Sequence, residues 1–241
     1  APSPVVAFLS TGSKAAGFTA FLLLLSASGS GIGLLRTPLW WLSLLSMVLG
    51  NLAALRQKNL KRMLAYSSIA QMGYVALALL TGTHDGFAAV ALYAVIYTAM
   101  NLTAFGAIAS LAEESGSEEI GAYRGFGYSR PFRGGMLALA MFALAGIPPT
   151  AGFMGKFAIF SAAVGGGEIA LAVIGMITAV ISVYYYLRVV ATLYMSAPEK
   201  QAKEGRVSLA EAAALGSTAF VIILLGVYPG PLMDLIYAIL L

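Results

Sequence analysis

AGIPPTAGFMGKF, Ala145 to Phe157, decides the fold class. It lies within a long apolar run, yet Pro148 and Pro149 stand side by side in its middle, with Gly146, Gly152 and Gly155 around them. Two prolines remove two backbone donors and obstruct the preceding carbonyls, so a helix entering this stretch breaks. At membrane depth such a break survives only where it is buried in protein or lines a hydrated cavity. Broken helices of this type recur at transporter binding sites. A simple kink, or two short spans joined by a tight turn, fits the same residues.

Working outward, the whole chain reads as membrane-embedded. Its 241 residues are 60% hydrophobic and 10% charged, with a mean hydropathy of +0.88, whereas soluble domains are roughly 45–50% apolar. Apolar stretches recur at lengths near the ~20 residues needed to cross a bilayer core. The fold class expected is all-α: a polytopic membrane helix bundle of about seven transmembrane helices, one of them broken over Gly146–Gly152. The spans fall near 5–27, 38–55, 63–81, 87–112, 134–163, 169–195 and 209–228, followed by a short amphipathic tail after Pro229 and Pro231. Loops are marked by GSGIG (Gly29–Gly33), THDG (Thr83–Gly86), the long segment from Glu113 to Phe132, GGGE (Gly165–Glu168) and APEKQAKEGR (Ala197–Arg206). None of the glycine-rich loops matches a phosphate-binding fingerprint.

The residues that are missing exclude several function classes. There is no cysteine, so this chain holds no iron–sulfur cluster, disulfide or thiolate metal site. Its single histidine, His84, lies in a polar turn, which argues against haem ligation or a His-rich metal site. No metal site or resident cofactor is expected. No serine has a histidine partner for nucleophilic catalysis, and the glutamates sit at span ends or in loops. The opening alanine runs almost directly into an apolar span without a basic leader, which reads as the cut edge of a longer protein rather than as a signal peptide.

Lysine and arginine orient the bundle. Loops on one side carry Arg56, Lys58, Lys61, Arg62, Arg124, Arg130, Arg133, Lys200, Lys203 and Arg206, and loops on the other carry Arg36 alone. This asymmetry places the basic side in the cytoplasm, with the N-terminus of the chain cytoplasmic and its C-terminus outside. The net charge of +4 reflects that membrane edge and not a nucleic-acid-binding patch.

Three basic residues remain inside spans. Lys14 lies ~14 Å along the first helix, too deep for easy snorkelling. Lys156 lies just beyond the proline break, beside the positive end of the second half-helix. A charge at the bilayer centre costs roughly 2.5–3.5 kcal/mol on the lenient scale, so two retained lysines point to proton exchange. The bland reading is that each bonds loose carbonyls and caps a helix end. Arg188 keeps its charge and lies nearer a span end, where snorkelling or an ion pair is expected. Polar stripes supply wiring between the lysines. Ser67, Gln71 and Tyr74 follow i, i+4, i+7, and Tyr93, Tyr97 and Asn101 follow i, i+4, i+8, so each set shares a helix face. Such residues hold water between lysines or simply hydrogen-bond neighbouring helices.

At this point motifs accumulate. NLKRMLAYSSIAQMGY, Asn59 to Tyr74, resembles the signature of the antiporter-like membrane subunits of respiratory complex I and their Mrp antiporter relatives. SKAAGF around Lys14, LAGIPPTAGFMGKF around Lys156 and YYYLRV around Arg188 look most like the N-subunit branch of that family, from the bacterial NADH:quinone oxidoreductase. The similarity implies a fourteen-span parent, of which this chain matches the eighth to fourteenth spans. Residues 1–27 would be the last helix of a first repeat, 38–195 a second five-helix repeat with its broken helix at 134–163, and 209–241 the closing helix and tail. By resemblance Lys14 is the central connecting lysine, Lys156 the broken-helix lysine and Lys61 a further lysine of the signature, although Lys61 also reads as a cytoplasmic anchor. The family's first half-channel pairs a glutamate with a lysine upstream of Ala1, so this chain lacks those partners.

The function implied is proton translocation in the bacterial inner membrane, driven by redox chemistry elsewhere. NADH, FMN, iron–sulfur clusters and quinone are then expected in other subunits, and the partners are other membrane subunits, the lipid bilayer and the missing N-terminal half. The alternatives are a Mrp-type cation/proton antiporter subunit and a non-transporting structural subunit. Lysine in the broken helix, where the related M subunit typically has glutamate, favours the N branch.

Overall fold

The computed structural model describes residues 12–14, 16–17, 20–21, 32–195 and 207–240. Most of the expected first span, residues 29–31 and the 197–206 loop with Lys200, Lys203 and Arg206 lie outside the described residues. The remainder is built from α1 (Ile32–Leu55), α2 (Leu60–Leu80), α3 (His84–Ser115), a 3-10 turn (Ile120–Tyr123), α4 (Phe126–Ser129), α5 (Pro131–Ala145), α6 (Ala151–Gly165), α7 (Ile169–Tyr194), α8 (Leu209–Val227) and α9 (Gly230–Leu240). Among the described residues there is no strand, only an isolated bridge between Asn59 and Glu119. Five helices, α1, α2, α3, α7 and α8, are long and apolar enough to cross a membrane, and α5, α6 and α9 are shorter apolar helices. The chain is an all-α polytopic membrane bundle.

Caps explain where the observed helices depart from the expected spans. Asn59 starts α2 by accepting from the Arg62 amide at 3.0 Å. Thr83 starts α3 by accepting from Gly86 N at 3.1 Å, so His84, Asp85 and Gly86 of the expected loop form the first turn of a helix. Gly116, at φ 66°, ends that helix in the left-handed region, which glycine tolerates without a Cβ penalty. The expected loop from Glu113 to Phe132 is also more ordered than its composition suggests. Its Ile120 and Tyr123 are buried in the core, and those apolar anchors hold the 3-10 turn and α4 against the bundle. Helix α1 starts at Ile32, within the expected GSGIG loop, and runs through Pro38. Proline there costs one hydrogen bond near an end, not the helix.

Helices α2 and α3 form the centre and are mostly buried, while α1, α7 and α8 leave much of their surface exposed. On α1, Leu42, Leu45, Leu49 and Leu52 form an exposed apolar stripe, the surface a lipid-facing helix presents. Its other side meets α2 closely: a Cβ on Gly73 would lie 2.7 Å from Met47 N. Small residues allow such approach where no hydrophobic gradient drives helices together.

At one end of the bundle, four charges tie three helices. Glu114, in the last turn of α3, accepts from both Arg130 and Arg133. Arg133 also grips Glu211 of α8 in a bidentate pair, at 2.7 and 2.9 Å. Both arginines are buried, so two of the basic residues counted for orientation are also structural. Arg133→Ala strands Glu211 and is expected to cost about 3 kcal/mol, seen as a drop in the thermal unfolding midpoint of the detergent-solubilised parent complex. Arg133→Lys, which keeps the charge but not the bidentate fork, should lose less.

Candidate functional site

The break is where sequence and structure meet. Helix α5 ends at Ala145, Gly146 at φ 84° turns the chain, the Pro148–Pro149 pair crosses the gap with a cis peptide bond, and α6 resumes at Ala151. The last four carbonyls of a helix have no partner within it. Here each is accounted for. Phe142 O accepts from the amides of Gly146 and Ile147 at 3.1 Å, and Ala143 O accepts from Gly146 N at 3.0 Å. Leu144 O and Ala145 O accept from Lys156 Nζ, at 2.9 and 3.0 Å. Lys156 therefore reaches from the first turns of α6 back to the carbonyl end of α5, bonding loose carbonyls as the bland reading of the sequence allowed. One turn of α6 swings the side chain across the gap, so the partner is the neighbouring half-helix.

Gly152 was expected as part of the break but belongs to α6. A Cβ there would lie 1.7 Å from Ala143 O, so glycine is what lets the two half-helices touch. Gly155 plays the same part against α3, where a Cβ would lie 2.7 Å from the Tyr93 ring.

From Lys156 a buried polar array leads toward Lys14. Leu144 O also accepts from Gln71 Nε2 at 3.3 Å. Gln71 Nε2 reaches Tyr186 Oη at 3.3 Å, and its Oε1 accepts from Tyr93 Oη at 2.5 Å. Tyr93 stacks on Tyr97 with ring centroids 6.1 Å apart. Tyr97 Oη and Ser68 Oγ share a short hydrogen bond, and Lys14 Nζ donates to Ser68 Oγ and, at 3.4 Å, to Tyr97 Oη. Gln71, Tyr93, Tyr97, Ser68 and Lys156 are all buried. Neither lysine has an acidic partner among the described residues.

A second polar group flanks the first. Tyr74 Oη accepts from Asn51 Nδ2 at 3.1 Å and lies 3.4 Å from Thr178 Oγ1, and Tyr185 Oη donates to Asn51 Oδ1 at 2.9 Å. The Lys156 ammonium sits over the Tyr74 ring, 5.7 Å from its centroid, within cation–π range. Tyr74 thus touches the lysine by its face and the polar group by its hydroxyl.

Three expected residues fall elsewhere, while Ser67 joins the array through Tyr186. Ser67 donates to Leu64 O at 2.8 Å and also meets the Tyr186 hydroxyl, which Gln71 reaches too. Asn101 donates to Tyr97 O at 3.2 Å, a bond to its own helix. Lys61 is held by Glu118 at 2.6 Å, seven residues before Ser68, about 10 Å along the helix axis. That ammonium, with Asn59 assisting, holds the Glu118 carboxyl below its usual range. Arg188 forms no ion pair among the described residues. It donates to Gln57 O at 2.5 Å and Leu55 O at 3.4 Å, capping the end of α1. Residues that the sequence reading missed are Ser68, Tyr186, Asn51, Tyr185 and Thr178. Ser68 adjoins the named stripe and Tyr186 lies in YYYLRV, so both were in view without a partner to single them out.

The chain is 65% identical over 240 residues to the NADH-quinone oxidoreductase subunit N of Geotalea uraniireducens, covering 100% of this chain and 51% of that relative. It superposes on a chain of respiratory complex I from Thermus thermophilus with bound aureothin at a TM-score of 0.80 and 34% identity, covering 97% of this chain and 51% of the other. A chain of the membrane-bound sulfane sulfur reductase, an archaeal respiratory membrane complex, matches at a TM-score of 0.88 and 32% identity, covering 99% and 49%. This chain spans about half the length of the curated relatives it matches. Residues 1–182 match the model of the NADH:quinone oxidoreductase/Mrp antiporter transmembrane family, and with the broken helix and its lysine in place the chain belongs to that family.

Proposed function

We propose that this chain is the proton-carrying second half of an antiporter-like membrane subunit of a bacterial NADH:quinone oxidoreductase. The observation that carries the reading is the buried array Lys14–Ser68–Tyr97–Tyr93–Gln71–Leu144 O–Lys156. It has amines at both ends and two breaks: stacked Tyr97 and Tyr93 share no direct hydrogen bond, and Gln71 and Lys156 both donate to Leu144 O, which has no proton to hand on. Bridging waters close such breaks at little enthalpic cost. Protons pass between the lysines through hydroxyl groups and those waters, with Gln71 and Leu144 O holding them in line. Redox chemistry in other subunits, which hold NADH, FMN, iron–sulfur clusters and quinone, supplies the drive. Partners are neighbouring membrane subunits and the N-terminal half of the same subunit. The basic end faces the cytoplasm of a bacterial inner membrane, on the charge rule. Lys61, paired with Glu118, acts at the entrance to this path or anchors it.

Gln71 is the side chain bonded both to Tyr93 and to the carbonyl shared with Lys156, so it tests the array. Gln71→Leu is expected to lower protons taken up per electron at least tenfold in vesicles of the assembled parent complex, the scale of losing an essential transfer group. Electron transfer to an artificial acceptor should fall less. An unchanged ratio would favour a structural subunit. A ratio that falls only when sodium is withheld would favour Mrp-type antiport.

A further inference from the structure

At the end of the bundle opposite the basic loops lies a cavity of about 400 Å³ that the lysine array does not use. It is walled by α3 from Thr83 to Leu92, by α6 from Met154 to Gly165, and by Pro229, Met233 and Tyr237 of the tail. Nine residues of α3 carry it about 13 Å into the bundle. The volume accommodates on the order of ten waters, and Thr83, Asp85, Ser161 and Tyr237 give it polar lining. A second cavity, of about 590 Å³, runs along the other flank of α6 and reaches Gly146 and Lys156. The two share Phe157 and Ser161 as a common wall.

Asp85 stands at the mouth of the first cavity. It is exposed, and no basic side chain pairs with it among the described residues. Arg36, in the second turn of α1 at this end, is held by Glu168 at 2.7 Å. The tail helix fixes the mouth: Tyr237 Oη donates to Asp85 Oδ1 at 3.0 Å, and the Tyr237 ring stacks on His84 at 5.3 Å. A single uncompensated carboxylate at the neck of a low-dielectric cleft concentrates cations there.

We propose that this cavity is an access vestibule for small hydrated cations, with Asp85 as its selecting charge and Tyr237 as the residue that positions it. The inference rests on the proton-translocation reading above and names the side of α6 from which the Lys156 region is approached. Phe157 and Ser161 form the partition between vestibule and lysine cavity, so a change at that partition connects or separates them.

These 241 residues contain no cysteine, so one introduced thiol is the only one among them, and its labelling is read on the peptide that carries it. Ser161→Cys is made in the assembled parent complex and treated, in sealed vesicles of each orientation, with membrane-impermeant cationic and anionic methanethiosulfonates of similar size. Their rate ratio cancels the intrinsic reactivity of the thiol. Modification is expected only from the α9 side and faster with the cationic reagent. Adding Asp85→Asn should lower the cation-to-anion ratio roughly threefold or more, the effect of one unit charge in a partly aqueous cleft. Asp85→Glu should preserve the ratio, and Tyr237→Phe should lower it partway. Val180→Cys, on the exposed wall of the second cavity, should react only with a membrane-permeant maleimide. No modification of Ser161→Cys by either impermeant reagent, or a ratio that Asp85→Asn leaves unchanged, overturns the proposal. Labelling requires no transport. A vestibule that labels as described in a complex that pumps normally without Lys156 would overturn the proton-path reading and leave the vestibule standing.

Discussion

Lys156→Ala is expected to lower proton uptake per electron at least tenfold in vesicles of the assembled parent complex, and Lys156→Arg is expected to fail nearly as badly. Two roles compete for this side chain, and the structure makes one of them concrete. Lys156 Nζ satisfies two carbonyls that the break leaves open, at 2.9 and 3.0 Å. If bonding those carbonyls were its whole task, arginine would serve, since guanidinium offers five donors and keeps its charge. A proton carrier must release its proton, which guanidinium does not do in proteins. The arginine variant therefore separates the roles, while both keep a cation beside the Leu144 carbonyl. Near-normal pumping by Lys156→Arg, normalised to assembled subunit, would reduce Lys156 to a structural cap.

Gly152→Ala should be the most damaging single-methyl change in the bundle. The new Cβ would lie 1.7 Å from Ala143 O and 2.7 Å from its carbonyl carbon, and backbone cannot move aside as a flexible side chain does. Relief requires α6 to shift by more than an ångström, which pulls Lys156 away from Leu144 O and Ala145 O. A loss of about 3 kcal/mol is expected, the upper part of the usual overpacking range, with a fall in the assembled fraction of the complex. Gly165→Ala, at the far end of the same helix and with nothing within 4 Å of its added Cβ, is the control and should be neutral. Equal thermal unfolding midpoints for the two variants would show that the half-helices do not touch as described.

Much of the polar array was legible in the sequence because its signals are local. Apolar length identifies spanning helices, adjacent prolines identify a break, and an ammonium at that depth demands a partner or a task. The stripes were only partly legible. Helical spacing places Ser67, Gln71 and Tyr74 on one face, and Ser67 and Gln71 do meet Tyr186, yet the residue that meets Tyr97 and Lys14 is Ser68, 100° further round. Periodicity says which residues share a face and not which neighbour that face will meet. Asn101 shows the same limit, since its amide turns to Tyr97 O of its own helix.

By itself, the sequence determined the membrane class, the broken helix and the buried position of Lys156, since each follows from the solvation of short segments: apolar side chains partition into lipid, and proline cannot donate to a helix. Only the tertiary structure decided what Lys156 holds, that Gly152 serves contact rather than the break, and that Asp85 faces a cavity closed by Tyr237. Those depend on the angle between two half-helices and on segments as distant as Thr83, Ser161 and Tyr237 meeting around one space. Packing angles arise from the summed shape of many side chains, which no local pattern encodes.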